Sequence, residues 1–187
     1  MRLWLRTSAI ALAMSTSACS LGGLLGGGGK PPTTLVTLTP EAPDPGQIVR
    51  AAAAGQAVTI ATPTTSKELQ AVRVPVQVTP TDVQYVANLV AETVRRTTNR
   101  VVLDANQSSL DPGLTVTGAL QRFGYDAQTG QVVVQYDGSL SAAGGNRVET
   151  RRFTATVPAD GSAASVAPAL NRAANQVALD VAKWIGG

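Results

Sequence analysis

The chain has 187 residues, with 15 lysines and arginines, 12 aspartates and glutamates, one cysteine and no histidine. It lacks both a lysine- or arginine-rich run and the aromatic residues that a nucleic-acid surface uses for stacking, so nucleic-acid binding is not expected. The missing histidine and the single cysteine also exclude the usual nucleophile–base pairs and nitrogen or sulfur metal sites, so we expect no metal and no cofactor.

The amino terminus has the ordered features of a secretory signal peptide. Arg2 and Arg6 precede a short apolar stretch over residues 9–14, and small residues then lead to the cysteine. Residues 7–29 are uncharged, but six glycines and several hydroxyl side chains interrupt them. The continuous apolar part is shorter than the ~20 residues of a spanning helix. We therefore expect a signal peptide over residues 1–18 rather than an uncleaved anchor.

Cys19 is the sole cysteine of the sequence, so it cannot form an internal disulfide. Its position after Thr16-Ser17-Ala18 resembles the lipobox of bacterial lipoproteins, although Thr16 stands where that motif usually has leucine. A thiolate is the nucleophile that takes up a diacylglycerol as a thioether. We expect lipidation of Cys19 and hence attachment to a membrane by acyl chains; the alternative is an ordinary signal peptide with an unmodified cysteine.

Residues 20–34 read SLGGLLGGGGKPPTT, and this composition predicts a flexible segment that stiffens at its prolines. The run GGGGK is not a phosphate-binding loop, because Leu24 stands in place of the first glycine and Pro31 in place of Ser or Thr. The sequence therefore predicts a lipidated Gly/Pro-rich tether over 19–34, followed by a single α+β periplasmic domain over 35–187.

Alternation of apolar and polar residues predicts three strands early in this domain, at 35–39, 57–61 and 72–78. The first stops at Pro40, and Pro75 places the third at a sheet edge or a bulge. Residues 41–56 show no clear pattern apart from a candidate short strand over 47–50.

A helix is predicted to start at residues 79–82, because Thr79 can cap it, Pro80 fits its first position and Asp82 suits the positive end of the dipole. Its last turn holds Arg95 and Arg96, which we interpret as part of a solvated face. The apolar stripe consists of Val83, Val86, Val90 and Val94.

A short buried strand is predicted at 101–103, followed by three long strands at about 114–124, 131–140 and 147–157. Turn residues at 126–130 and 144–146 join the long strands into an antiparallel meander. In the middle strand Val132, Val134, Tyr136 and Leu140 point to one side, and Gln135, Asp137 and Ser139 to the other. The outer strand carries Arg147, Arg151 and Arg152, which hinder edge-to-edge aggregation.

Carboxylates such as Asp104 and Asp111 leave an all-carboxylate mechanism formally open. The twelve acidic residues are spread evenly along the chain, however, and we expect that the protein is not an enzyme.

The last predicted helix starts near Ser165, and Trp184 at its end is interpreted as a core anchor, with partner binding as the alternative. Its apolar stripe consists of Val166, Leu170, Ala173, Val177, Val181 and Trp184, and Asn171, Arg172, Asp180 and Lys183 lie off it. Together the elements predict an α+β fold, in which an antiparallel-rich sheet packs two helices on one face. The other face, rich in threonine, glutamine and arginine, is left for water or a partner.

Several segments in this order resemble the ABC-type transport auxiliary lipoproteins, the family of PqiC-like outer-membrane lipoproteins. They are the lipobox at Cys19, residues 34–38, residues 72–76, residues 120–126 with the hairpin that follows, residues 150–153 and residues 170–184. Members of that family have an additional tryptophan-containing segment before the first helix. This chain lacks it, since Tyr85-Val86 runs straight on to Glu92-Thr93-Val94.

The resemblance implies an auxiliary subunit of an ABC/MCE-type lipid transport system, acting as a membrane-anchored docking or scaffold subunit between membranes. The implied partners are an MCE-type periplasmic protein and the permease and ATPase of an ABC transporter, and a homo-oligomer stays open. Ser20 after the cysteine, rather than aspartate, resembles the sorting state that permits release to the periplasmic face of the outer membrane; inner-membrane retention is the alternative. A periplasmic lipid- or ligand-binding carrier and an envelope-assembly lipoprotein remain as other functions.

Overall fold

The computed structural model describes residues 38–65, 80–111, 113–143 and 147–186, with the side chains of the first helix described from Val83. Six predicted features lie outside the described residues: the signal peptide, Cys19, the tether, the strand at 72–78, the Thr79 cap and the turn at 144–146.

The described residues form one mixed six-stranded sheet and two α-helices. The strands are β1 (Val58–Ile60), β2 (Thr64–Thr65), β3 (Val102–Leu103), β4 (Leu114–Asp126), β5 (Gln131–Ala142) and β6 (Val148–Pro158); the helices are α1 (Pro80–Thr97) and α2 (Ala163–Gly186). The sheet order is β3-β1-β4-β5-β6, and β2 also pairs with β4. β1 runs parallel to β3 and β4, whereas β5 pairs antiparallel with both β4 and β6. The predicted α+β class is confirmed.

The long meander has the predicted alternation, and its register fixes which side chains reach the helices. Tyr136 of β5 lies opposite Leu120 of β4 and Phe153 of β6, and all three are buried. A bulge at Gln121 inserts one residue into β4. Beyond the bulge, the alternation of inward and outward side chains along β4 resumes one residue later, and Phe123 points to the core.

Helices α1 and α2 pack against each other, and α2 also lies on β5 and β6. The predicted stripe of α1 is buried in full, and so is the stripe of α2 from Val166 to Val181. Alanines dominate the rest of the contact face of α2, so its backbone approaches the sheet closely. The buried alanines are Ala169, Ala173, Ala174, Ala178 and Ala182.

The strand predicted at 35–39 is wrong over the residues described there, because Leu38 and Thr39 have no strand partner. Instead the backbone N–H of Thr39 donates to Asn171 Oδ1 at 2.9 Å, and that of Glu41 donates to Asn175 Oδ1 at 2.8 Å. Asn175 Nδ2 in turn donates to the carbonyl of Thr39 at 2.8 Å. Asparagine side chains of α2 therefore satisfy the backbone groups that a neighbouring strand was expected to pair.

Two further predictions about short segments need correction. Residues 47–50 do not form a strand; Val49 is 94% exposed, so nothing packs on it to hold an extended conformation in a sheet. The strand predicted at 101–103 exists as β3, but its two residues are half-buried rather than buried, because β3 is an edge strand of the sheet.

Candidate functional site

An aromatic cluster closes the core where α2 ends. The ring of Trp184 lies 5.4 Å from that of Phe153 between centroids, and Phe153 stacks on Tyr136 at 6.4 Å. Trp184 Nε1 donates to Glu149 Oε2 at 3.1 Å. The hydrogen-bonded ion pair with Arg147 lowers the pKa of Glu149 below its usual value, and the hydrogen bond from Trp184 lowers it further by a smaller amount. Trp184 is half-buried and its one polar atom is satisfied, as expected of a core anchor.

The two candidate catalytic carboxylates, Asp104 and Asp111, bind an arginine and backbone N–H groups, respectively. Asp111 accepts hydrogen bonds from the N–H groups of Gly55 at 2.6 Å and Ala57 at 3.0 Å, and so fixes the entry to β1. Asp104 pairs with Arg95 at 3.4 Å. The described residues contain no group of three or more histidine, cysteine or acidic side chains placed to hold a metal ion.

The open face of the sheet carries polar and charged side chains. On it, Arg152 Nε and Nη2 donate to the two Asp137 carboxylate oxygens at 2.6 and 2.7 Å. These bonds lower the pKa of Asp137. Beside them Gln135 Nε2 donates to Thr154 Oγ1 at 3.3 Å. Both helices contact the opposite face, so this face presents hydrogen-bonding and charged groups to its surroundings.

A groove of about 570 Å³ lies where residues 41–43, α1, α2 and β6 meet. Apolar atoms of Ala155, Val157 and Leu179 contribute to its wall, and Arg172 and Asn175 place polar groups in it. The position of this groove could not be predicted from the sequence, because its lining residues come from four segments that are far apart in the chain.

Cys19, the predicted lipidation site, lies outside the described residues, so the structure brings no described side chain to it. None of the helices in the described ranges is long and apolar enough to cross a bilayer.

Residues 84–182 match a family model described as the ABC-type transport auxiliary lipoprotein component. The matched part runs from the first turns of α1 through the meander to the last turn of α2, more than half of the chain. The chain belongs to this family. The predicted membership is thereby confirmed, and with it the assignment of the protein as an auxiliary lipoprotein associated with ABC-type transport.

Solved structures share the fold of this auxiliary lipoprotein. A crystal structure of an uncharacterized protein matches with a TM-score of 0.55 and 15% identity, over 73% of this chain and 96% of that one. A PelC dodecamer from Paraburkholderia phytofirmans matches with a TM-score of 0.50 and 16% identity, over 75% of this chain and 95% of that one. At such identities the likeness concerns the fold alone. No curated protein matches the sequence significantly.

Proposed function

We propose that this auxiliary lipoprotein is the membrane-anchored docking or scaffold subunit of an ABC/MCE-type lipid transport system. The observation that carries the proposal is the family match over residues 84–182, which covers the folded core rather than a short motif. The side-chain chemistry agrees with a binding role, because Asp104 and Asp111 are engaged in structural contacts and the open sheet face offers polar groups to a partner.

The proposal includes a specific route to the membrane. Residues 1–18 act as a signal peptide, Cys19 receives the acyl chains, and residues 19–34 form the tether of a single domain over 35–187. Burial of each CH₂ contributes about 0.8 kcal/mol, so several acyl chains hold the protein stably where one would not. Ser20 directs the protein to the outer membrane, on the periplasmic face.

Co-purification tests the docking role. The lipidated full chain is crosslinked in intact cells and isolated from solubilised envelopes, and the captured proteins are identified by mass spectrometry. We expect an MCE-type protein together with the permease and ATPase of an ABC transporter. An unrelated outer-membrane lipoprotein treated in the same way is the control. Recovery of none of these partners, or equal recovery with the control, would count against the proposal.

A second candidate function is that of a periplasmic lipid carrier, and the groove beside residues 41–43 favours it. The groove volume of about 570 Å³ falls in the range of small-molecule sites, and apolar side chains contribute to its wall. Native mass spectrometry separates the two functions. A carrier retains lipid mass on the folded protein beyond the acyl chains of Cys19, whereas a docking subunit does not.

A further inference from the structure

A basic cleft of about 890 Å³ opens where α1 and α2 both end. None of the residues described above for the candidate carboxylates, the aromatic cluster and the open sheet face lines it. Its charged lining residues are Arg50, Arg96, Arg100 and Lys183. Within the described part of the chain, none of the residues that line this basic cleft is acidic.

Two of these four cations, Arg96 and Lys183, have a carboxylate partner. Arg96 Nε donates to Glu92 Oε1 at 2.8 Å, and its Nη1 donates to the carbonyl of Ala42 at 2.9 Å. Lys183 lies 3.4 Å from Asp180, but the lysine side chain is 66% exposed, so this pair is weak and open to exchange.

Arg50 and Arg100 differ from those two because neither has a carboxylate partner among the described residues. Arg50 Nη1 donates to the carbonyl of Arg100 at 3.1 Å, which holds the two residues together and leaves its other N–H groups available. The guanidinium of Arg100 makes no hydrogen bond or ion pair within the described ranges. Both side chains are half-buried and line the cleft, so their unpaired N–H groups are available to an anion.

The helix ends do not neutralise this charge. The carboxyl end of each helix carries roughly half a negative charge, and cations are favoured there. The two ends together therefore offset about one of the two charges on Arg50 and Arg100. Counted over the residues that the structure describes, the basic cleft keeps an excess positive charge that an anion would balance.

We propose that the basic cleft binds a phosphate group, supplied by a phospholipid headgroup or by a soluble phosphate. The planar fork of a guanidinium matches two phosphate oxygens at once, and Arg50 and Arg100 present two such forks from one site. Ile48 and Val49, 40% and 94% exposed, directly precede Arg50 and place apolar side chains next to it in the chain. The inference goes beyond the proposed function, because it requires no transport partner.

Calorimetric titration tests the site on the lipidated full chain in a non-ionic detergent. One arm uses inorganic phosphate and the other a short-chain phosphatidylglycerol below its micellar concentration. We expect at least one probe to bind. Binding of phosphatidylglycerol alone identifies a lipid source, binding of phosphate alone a soluble source, and binding of both the shared phosphate group. Binding of neither overturns the proposal.

Variants connect the binding to the basic cleft. Arg100→Gln is the main variant, because its side chain makes no described contact whose loss would disturb folding, and Arg50→Gln is the second. Each is expected to weaken binding by about tenfold or more, the effect of losing a charge-assisted hydrogen bond. Arg122→Gln is the matched control, because Arg122 pairs with Asp126 at the turn between β4 and β5 and does not line the cleft. Unchanged binding in Arg100→Gln and Arg50→Gln, or equal weakening in Arg122→Gln, overturns the proposal.

Discussion

Tyr136 lies at the centre of the meander, and its hydroxyl is sensitive to alkaline pH. The residue is 2% exposed, its hydroxyl donates to the carbonyl of Thr117 at 3.1 Å, and burial raises its pKa to about 12 from the ordinary 10.0. The pKa of Tyr136 is therefore higher in the folded chain than in the unfolded chain. The protonated hydroxyl makes its full contribution to the stability of the folded protein below pH 10, and this contribution is lost as the pH rises toward 12.

Tyr136→Phe should remove this alkaline sensitivity. We expect wild type to lose about 2 kcal/mol of unfolding free energy through this group as the pH approaches the folded pKa, and the variant to lose correspondingly less. Urea unfolding at about pH 9 and about pH 11 measures the difference. The variant will be less stable at neutral pH because the bond to Thr117 is gone, so the comparison concerns the slope with pH. Equal slopes in the two proteins would contradict the assignment.

Gly118 and Gly138 provide the space that the Tyr136 ring occupies. A Cβ on Gly118 would overlap that ring and the carbonyl of Asp137, whereas a Cβ on Gly138 would lie 3.0 Å from Tyr136, 3.2 Å from Trp184 and 3.4 Å from Phe153. Both positions have ordinary backbone angles, so the cost of a substitution comes from packing rather than from conformation.

Gly118→Ala should therefore destabilise the domain by about 3 kcal/mol, and Gly138→Ala by about 1 kcal/mol, the two ends of the usual range for overpacking. The first substitution meets backbone as well as a ring, whereas the second meets side-chain atoms that can shift by a few tenths of an ångström. Chemical denaturation of both variants under one set of conditions gives the comparison. A larger loss of unfolding free energy for Gly138→Ala than for Gly118→Ala would contradict this, and would show that the Tyr136 ring moves away from a Cβ at position 118 at little cost.

At the scale of elements, the segment at 39–41 is held by two asparagines one helical turn apart on α2. Asn175 is 7% exposed and forms bonds with Glu41, with Thr39 and with the carbonyl of Asn171. Asn171 adds a bond from Nδ2 to Glu41 Oε1 at 3.1 Å. This segment follows the tether residues in the chain, so its docking sets where the domain begins.

Asn175→Ala should release this segment. We expect a stability loss of about 1–3 kcal/mol, because the Glu41 N–H and the Thr39 carbonyl lose their partner. Amide hydrogen exchange should become faster at Glu41 and, as the segment loosens, also at Thr39, whose N–H is bound by Asn171. Gln176→Ala is the matched control, since the Gln176 side chain pairs with Asp180 instead. Exchange at residues 39 and 41 that stays slow in Asn175→Ala, or rises equally in Gln176→Ala, would mean that other contacts hold the segment.

Elements with a strong period could be predicted from the sequence. In helices α1 and α2 an apolar side chain recurs at each of three or more turns, and in strands β4, β5 and β6 apolar side chains recur at alternate positions. All five elements are present in the structure. The strand predicted at 35–39 is wrong at Leu38 and Thr39, because alternation of apolar and polar residues is equally compatible with helix side chains as hydrogen-bond partners. β2 has only two residues, too few for any period.

Sites formed by long-range packing could not be predicted. Trp184 was recognised as an anchor because it continues a helical stripe that the sequence displays. Arg50 and Arg100 stand fifty positions apart, and the bond that joins them depends on how the segment before β1 crosses the end of α1. The insertion of β1 between β3 and β4 is equally hidden, because parallel pairing leaves no turn residue to mark it.

At the scale of the whole molecule, the proposed membrane attachment rests on Cys19, which precedes the folded domain in the sequence. The described helices are packed against the sheet, and none of them is suited to cross a bilayer. In the proposed route to the membrane, acyl chains at Cys19 anchor the protein, with a binding energy that scales with the number of buried CH₂ groups.

Cys19→Ser should therefore shift the protein from the membrane fraction to the soluble fraction, because a serine hydroxyl is not the thiolate on which a thioether forms. Ser20→Ala is the control, since it changes the next residue but keeps the thiol. Fractionation with immunoblotting measures the distribution, and mass spectrometry of the mature amino terminus measures the acyl mass. We expect acyl chains on wild type and Ser20→Ala and none on Cys19→Ser. Equal membrane association of Cys19→Ser, with no acyl mass on wild type, would transfer the anchoring role to the folded domain.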